Sequence, residues 1–115
     1  MPLLKKLGDG YKLWHGTLQN IPKLSRFTIG AKIDALFIET VEYVLLASYA
    51  PKSQKLSIIK RASTKLDALK FFLQLAWEIK SFDNSKYLAI AGPLIEAGKM
   101  LGGWQKQAKE ETPAS

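Results

Sequence analysis

The sequence predicts an all-α protein, an antiparallel up-down-up-down four-helix bundle. Three observations carry this. Apolar residues recur at alternating three- and four-residue steps in four successive segments, the spacing that puts them on one helix face. No segment alternates with the period of two that a half-buried strand requires. The breaks between segments are short, and short connections between long helices make sequence neighbours antiparallel.

The first helix reads over Asp9–Ile21. Leu7, Tyr11, Trp14, Leu18 and Ile21 mark its face, Asp9 in Gly8-Asp9-Gly10 is its expected N-cap, and Pro22 stops it. The second helix starts at Ser25 or Thr28 and runs to about Tyr49, before Pro51. Its face is Ile29, Ile33, Leu36, Thr40, Tyr43 and Ala47, flanked by Phe37, Val41, Val44 and Leu45. It is apolar over much of its girth and also carries Asp34, Glu39 and Glu42.

The third helix, Ser53–Phe82, organises the rest. Its seam is Ile59, Ala62, Leu66, Leu69, Leu73 and Ala76, with no Gly or Pro inside. Opposite the seam it divides in two. The first half turns Lys60 and Arg61 outward; the second turns out Phe71, Phe72, Leu75, Ile79 and Phe82. A surface helix is normally polar there. Such a helix is expected to face its own core, a sister subunit and something anionic.

The fourth helix covers about Lys86–Gln107, after a break at Asp83-Asn84-Ser85. One face is Leu88, Ala91, Ile95, Gly98, Leu101 and Gln105; Ile90, Leu94, Ala97 and Trp104 widen it. Gly92-Pro93 is expected to kink or briefly break it. The domain plan is an N-terminal segment over 1–8, the bundle over 9–107, and a disordered tail over 108–115, ending KEETPAS.

Composition bounds the function. A chain of 115 residues with 47% hydrophobic content supports a core without cross-links, and it holds no cysteine. Lys and Arg outnumber Asp and Glu by 17 to 10, a surplus that fits an anionic partner, most often nucleic acid. No apolar run is long enough to span a bilayer, and MPLLKKL lacks the apolar stretch of a signal peptide, so a cytoplasmic protein without membrane contact is expected.

Enzyme chemistry finds no foothold. The single histidine, His15, has no partner set, and neither Glu39 nor Glu42 is followed three residues on by a histidine, as a di-metal bundle needs. There is no phosphate loop, nucleophile elbow or zinc-ligand spacing. A non-enzyme with no metal and no cofactor is expected. What remains is charge and exposed apolar surface. Lys52, Lys55, Lys60, Arg61, Lys65 and Lys70 face one acid, Asp67, along one helix. They scatter around it, which suits backbone contact to phosphates rather than base reading. The Phe71–Phe82 surface suits homo-oligomerisation or docking of another protein better than base stacking.

Three stretches resemble the accessory variability determinant of diversity-generating retroelements: PKLSRFTIG at Pro22–Gly30, LKFFLQLAWEI at Leu69–Ile79 and MLGGWQK at Met100–Lys106. The resemblance spans roughly Tyr11–Gln107. Its wider relatives include small bundles encoded in intervening sequences of bacterial large-subunit ribosomal RNA genes. It implies a ring-like homopentamer with a basic surface. It also implies two partners, the element's reverse transcriptase and its template RNA, in a complex that makes mutagenised cDNA. It implies no catalytic residue in this chain. Lys70 falls where the family places a basic partner-binding residue, and Arg26 and Lys106 fall in matched motifs. Gly92-Pro93 and the neutral Gln74 depart from the family pattern. The alternative is a stand-alone oligomeric bundle of the intervening-sequence type, with no polymerase partner.

Overall fold

The computed structural model describes residues Met1–Thr112. It is all-helical, with α1 (Pro2–Leu18), a short α2 (Lys23–Phe27), α3 (Ile29–Tyr49), α4 (Lys52–Glu78) and α5 (Asn84–Glu111). The four long helices pack side by side into a rod of 50 × 22 × 20 Å. Around the rod, α3 lies between α1 and α4, and α5 lies between α4 and α1.

Cross-helix contacts set the directions. On α1 and α3, Tyr11 meets Phe37 while Leu18 lies beside Gly30. Rising numbers on one helix meet falling numbers on the other, so the two are antiparallel. The same holds for α4 and α5, where Trp77 stacks on Tyr87 and Leu66 lies beside Gly98.

The six seam residues read on the third helix are the six buried residues of α4. On α3 the buried set is Gly30, Ile33, Leu36, Phe37, Thr40, Val44 and Ala47. Thr40 is buried without cost because its hydroxyl donates to the Leu36 carbonyl at 2.6 Å.

Other expectations are corrected. The first helix begins at Pro2, not Asp9, so residues 2–8 belong to it and Asp9 is internal. Proline fits a first helical position, where its missing N–H is not needed. Burial of Leu3 and Leu7 offsets the helix cost of Gly8 and Gly10. A side chain at Gly10 would touch the Phe37 ring at 3.5 Å and Pro93 at 3.6 Å, so this glycine is where α1, α3 and α5 converge. Ser25 and Thr28 mark two events: Ser25 lies inside α2, and Thr28 separates α2 from α3.

The third helix ends at Glu78, not Phe82. Lys80 takes the left-handed conformation (φ 65°), while the Ser81 N–H donates to the Ala76 carbonyl and the Lys80 N–H to that of Trp77. This is a Schellman stop, usually built on glycine. The fourth helix runs unbroken through Pro93 to Glu111 and buries Ala108, where a tail was expected. Its start is capped by Asp83, whose Oδ1 accepts from the Lys86 N–H at 2.9 Å. Residues 113–115 of the expected tail lie outside the described residues.

The face chosen for this helix also changes. Ile90, Leu94, Ala97 and Leu101 are buried, whereas Leu88 is 67% and Ile95 51% exposed. Ile90, Leu94 and Ala97, expected only to widen the core face, form it together with Leu101, the one member of the expected face that is buried.

Candidate nucleic-acid and assembly surfaces

Lys52 opens α4 in full exposure, Lys55 is half-buried, and Lys60 and Arg61 are exposed one turn further on. Lys106 is exposed on α5. The antiparallel register that sets Gly98 beside Leu66 brings Lys106 level with Lys60 and Arg61. None of these five cations reaches an acid among the described residues. They put five cations that form no ion pair at one end of the rod, spread around α4, with Arg61 on the α3 side four residues before Lys65.

The other three sequence-predicted cations are engaged. Lys65 turns toward α3 and pairs with Glu39 at 3.6 Å. Lys70 turns toward α5, where its Nζ lies over Gly98, 3.3 Å from where a Cβ would stand, and 3.7 Å from Asp67. Arg26 reaches back from α2 to the end of α1, donating to the carbonyls of Gln19 and Ile21 at 3.1 Å each. Its guanidinium holds the Pro22 turn, which uses donors that a phosphate would need.

The predicted apolar surface divides. Phe71 is 62% exposed and Ile79 is also exposed. Phe72 and Phe82 pack against the core: Phe82 meets the Trp14 ring edge-on, and Phe72 lies under the Lys32 ammonium at 6.0 Å. Leu75 is half-buried. Phe82 sits in the turn beyond α4, and the Schellman stop redirects it inward.

Two surfaces take the place of that single patch. The first is a groove of about 350 Å³ between α4 and α5, walled by Phe71, Gln74, Tyr87, Ala91 and Ile95, with Lys70 its one charged residue. Ala91 and Ile95, two members of the series that the sequence suggested as core, line this groove. The second is the solvent face of α3. Ala31, Ala35, Ile38, Glu42, Leu45 and Tyr49 are all exposed and follow one another by four, three, four, three and four residues. Leu46 adds to the same side. This is a second helical seam, opposite the buried one; Glu42 is the one charge within the series, and Glu39, paired with Lys65, borders it. The signal was present as α3's apolar girth.

The titratable groups show one displaced member. Tyr11 donates to Asp34 Oδ1 at 2.8 Å, and the Trp14 indole N–H donates to the same oxygen at 3.2 Å. Burial, then the hydrogen bond and charge of Asp34, push the Tyr11 phenol above its ordinary value. His15 is exposed and stacks on Tyr11. Among the described residues no group of three metal-ligating side chains gathers, and no helix is long and apolar enough to cross a membrane.

A family model described as bAvd-like matches residues 1–108, which includes the turns of α1 before Asp9. No curated protein matches the chain.

Proposed function

Because the chain belongs to the bAvd-like family, we propose that it is a non-catalytic accessory subunit of a diversity-generating retroelement. In this reading it is a four-helix bundle that assembles as a ring-like homo-oligomer, a pentamer by family resemblance. It holds the element's reverse transcriptase and template RNA, and passes the cDNA over the same surface, during mutagenic cDNA synthesis. It works in the cytoplasm without metal or cofactor.

The observation that carries the proposal is the unpaired cluster of Lys52, Lys55, Lys60, Arg61 and Lys106. Cations held in no ion pair are free to displace counterions from a phosphate backbone, which supplies salt-dependent affinity without sequence reading. Lys65 and Lys70 hold acids of their own chain and contribute less.

The test compares Lys60→Gln/Arg61→Gln with Lys65→Gln in RNA binding across a salt series. The double variant is expected to flatten the salt dependence by roughly two counterions' worth and to weaken binding at low salt. Lys65→Gln is expected to change little. Equal binding by wild type and double variant would remove this surface from the function. A reverse-transcriptase gene and a near-duplicate variable repeat beside this gene support the retroelement role; their absence favours the stand-alone bundle.

A further inference from the structure

We infer that copies of this chain join head to tail, the solvent face of α3 in one copy lying in the α4–α5 groove of the next, with Glu42 of one copy meeting Lys70 of the other. This rests on the homo-oligomer reading above and specifies the surfaces that build it.

The α3 face has the form of a helix awaiting a partner. Its apolar and small positions, Ala31, Ala35, Ile38, Leu45 and Tyr49, keep the three-four spacing that places them in line. They extend over roughly 27 Å at 1.5 Å per residue. An isolated exposed leucine needs no explanation, but an aligned apolar series on a surface helix does. The α4–α5 groove has the complementary form. Its walls are Phe71 and Ile95, its floor includes Ala91, and Lys70 lies across Gly98 beside it. An apolar helix face laid into an apolar groove is a common docking mode.

Charge assigns the occupant. Along the α3 series the one unpaired charge is Glu42, since the neighbouring Glu39 is held by Lys65, and the groove carries one charge, Lys70. Their signs are opposite. A copy of this chain therefore supplies both the apolar series and the counter-charge that the groove lacks. Lys70 already has a weak internal partner in Asp67, 3.7 Å away and itself exposed, so its ammonium can swing to a better-shielded acid.

Placement makes the contact heterologous. α3 and α5 are not neighbours in the rod: each packs against α1 and α4. A subunit whose α3 face is covered still offers its own groove. Addition repeats until rotation closes a ring. A two-fold dimer through either surface would leave the other uncovered.

The test uses full-length chains and measures size by light scattering. One variant blocks the α3 face (Ile38→Arg/Leu45→Arg), and the other blocks the groove (Phe71→Arg/Ile95→Arg). All four positions are exposed, and helicity by circular dichroism checks that each variant is folded. Each variant alone is expected to be monomeric. An equimolar mixture is expected to form a one-to-one dimer and nothing larger, because each partner retains one competent surface. If either variant alone keeps the wild-type size, or the mixture stays monomeric, the head-to-tail pairing is wrong while the homo-oligomer reading stands. A monomeric wild type overturns both. For the ion pair, Glu42→Lys and Lys70→Glu should each weaken assembly roughly tenfold or more, and the double exchange should restore it. Failure to restore would remove Glu42–Lys70 from the contact.

Discussion

Between α1 and α3, Tyr11 and Trp14 both reach across to the Phe37 ring, and both donate to Asp34. Between α4 and α5, the α5 side presents Ala91 and Gly98, and the space above them is spanned by one lysine. Both seams join antiparallel helices of the same rod. The first is filled by large rings and sealed by a shared carboxylate. The second is closed at one end by the Trp77–Tyr87 stack and left shallow beyond it, where α5 carries Ala91 and Gly98. A closed seam commits its side chains to the subunit's own stability. An open one keeps apolar area and a charge available for something outside it. Which residues hold the fold and which are left for the proposed assembly follows from that division, more than from how apolar either helix is.

The largest effects should therefore come from the closed seam. Phe37 is fully buried and touches both α1 aromatics. Phe37→Ala is expected to cost about 3–5 kcal/mol, the range for emptying an aromatic core site. Phe71→Ala, on the open seam, is expected to cost under about 0.5 kcal/mol of subunit stability. Denaturant melts at a concentration where the chain is monomeric measure both. Similar losses in the two variants would erase the distinction between the seams.

Glycines sharpen the same contrast at smaller size. At Gly30 an added Cβ would stand 3.0 Å from the Ser25 carbonyl oxygen and 3.2 Å from Leu18. The first of these is backbone and cannot yield easily, so Gly30→Ala is expected to cost about 1–3 kcal/mol. At Gly98 the near atom is the Lys70 ammonium, at 3.3 Å on the end of a flexible chain. Gly98→Ala is expected to range from neutral to about 1 kcal/mol stabilising, because alanine is the better helix former. A matching loss at both sites would mean that Lys70 is not free to move.

The contrast also explains what the sequence made legible. The α4 seam could be read residue by residue, because the rest of that helix's first half is polar and only one face could be buried. On α5 two apolar series exist, and periodicity cannot say which one meets the core. Leu88 and Ile95 belong to the series that the spacing favours, and they lie outside. The start of α1 was hidden because Gly8-Asp9-Gly10 looks like a cap; only the convergence of Phe37 and Pro93 on Gly10 reveals a glycine chosen for packing. The stop at Lys80 was hidden for the opposite reason, since lysine carries no signal for a left-handed turn. That turn is what separates Phe82 from the exposed surface. Among the candidate site residues, the cations were visible as a group. Their division into free and engaged members depends on Glu39, Asp67 and the carbonyls before Pro22, which are brought to them by the fold.

The finest test of the closed seam is its pH dependence. In the folded chain Tyr11 is held above its ordinary value, chiefly by burial and then by its hydrogen bond to Asp34 and that residue's charge. An unfolded tyrosine titrates near about 10. Above that pH the unfolded chain gives up the phenolic proton first, so the folded state binds more protons and stability falls as pH rises. The Tyr11 contribution is thus fully present below about pH 10 and is lost as pH climbs through the higher folded value. Trp14 donates to the same carboxylate oxygen and does not titrate, so its half of the arrangement persists. Comparing wild type with Tyr11→Phe isolates the effect, because the lysines and the other tyrosines are common to both. The stability difference between the two chains is expected to be constant through neutral pH and to shrink above about pH 10. Parallel curves to the alkaline limit would mean that the Tyr11–Asp34 contact does not stabilise the α1–α3 seam.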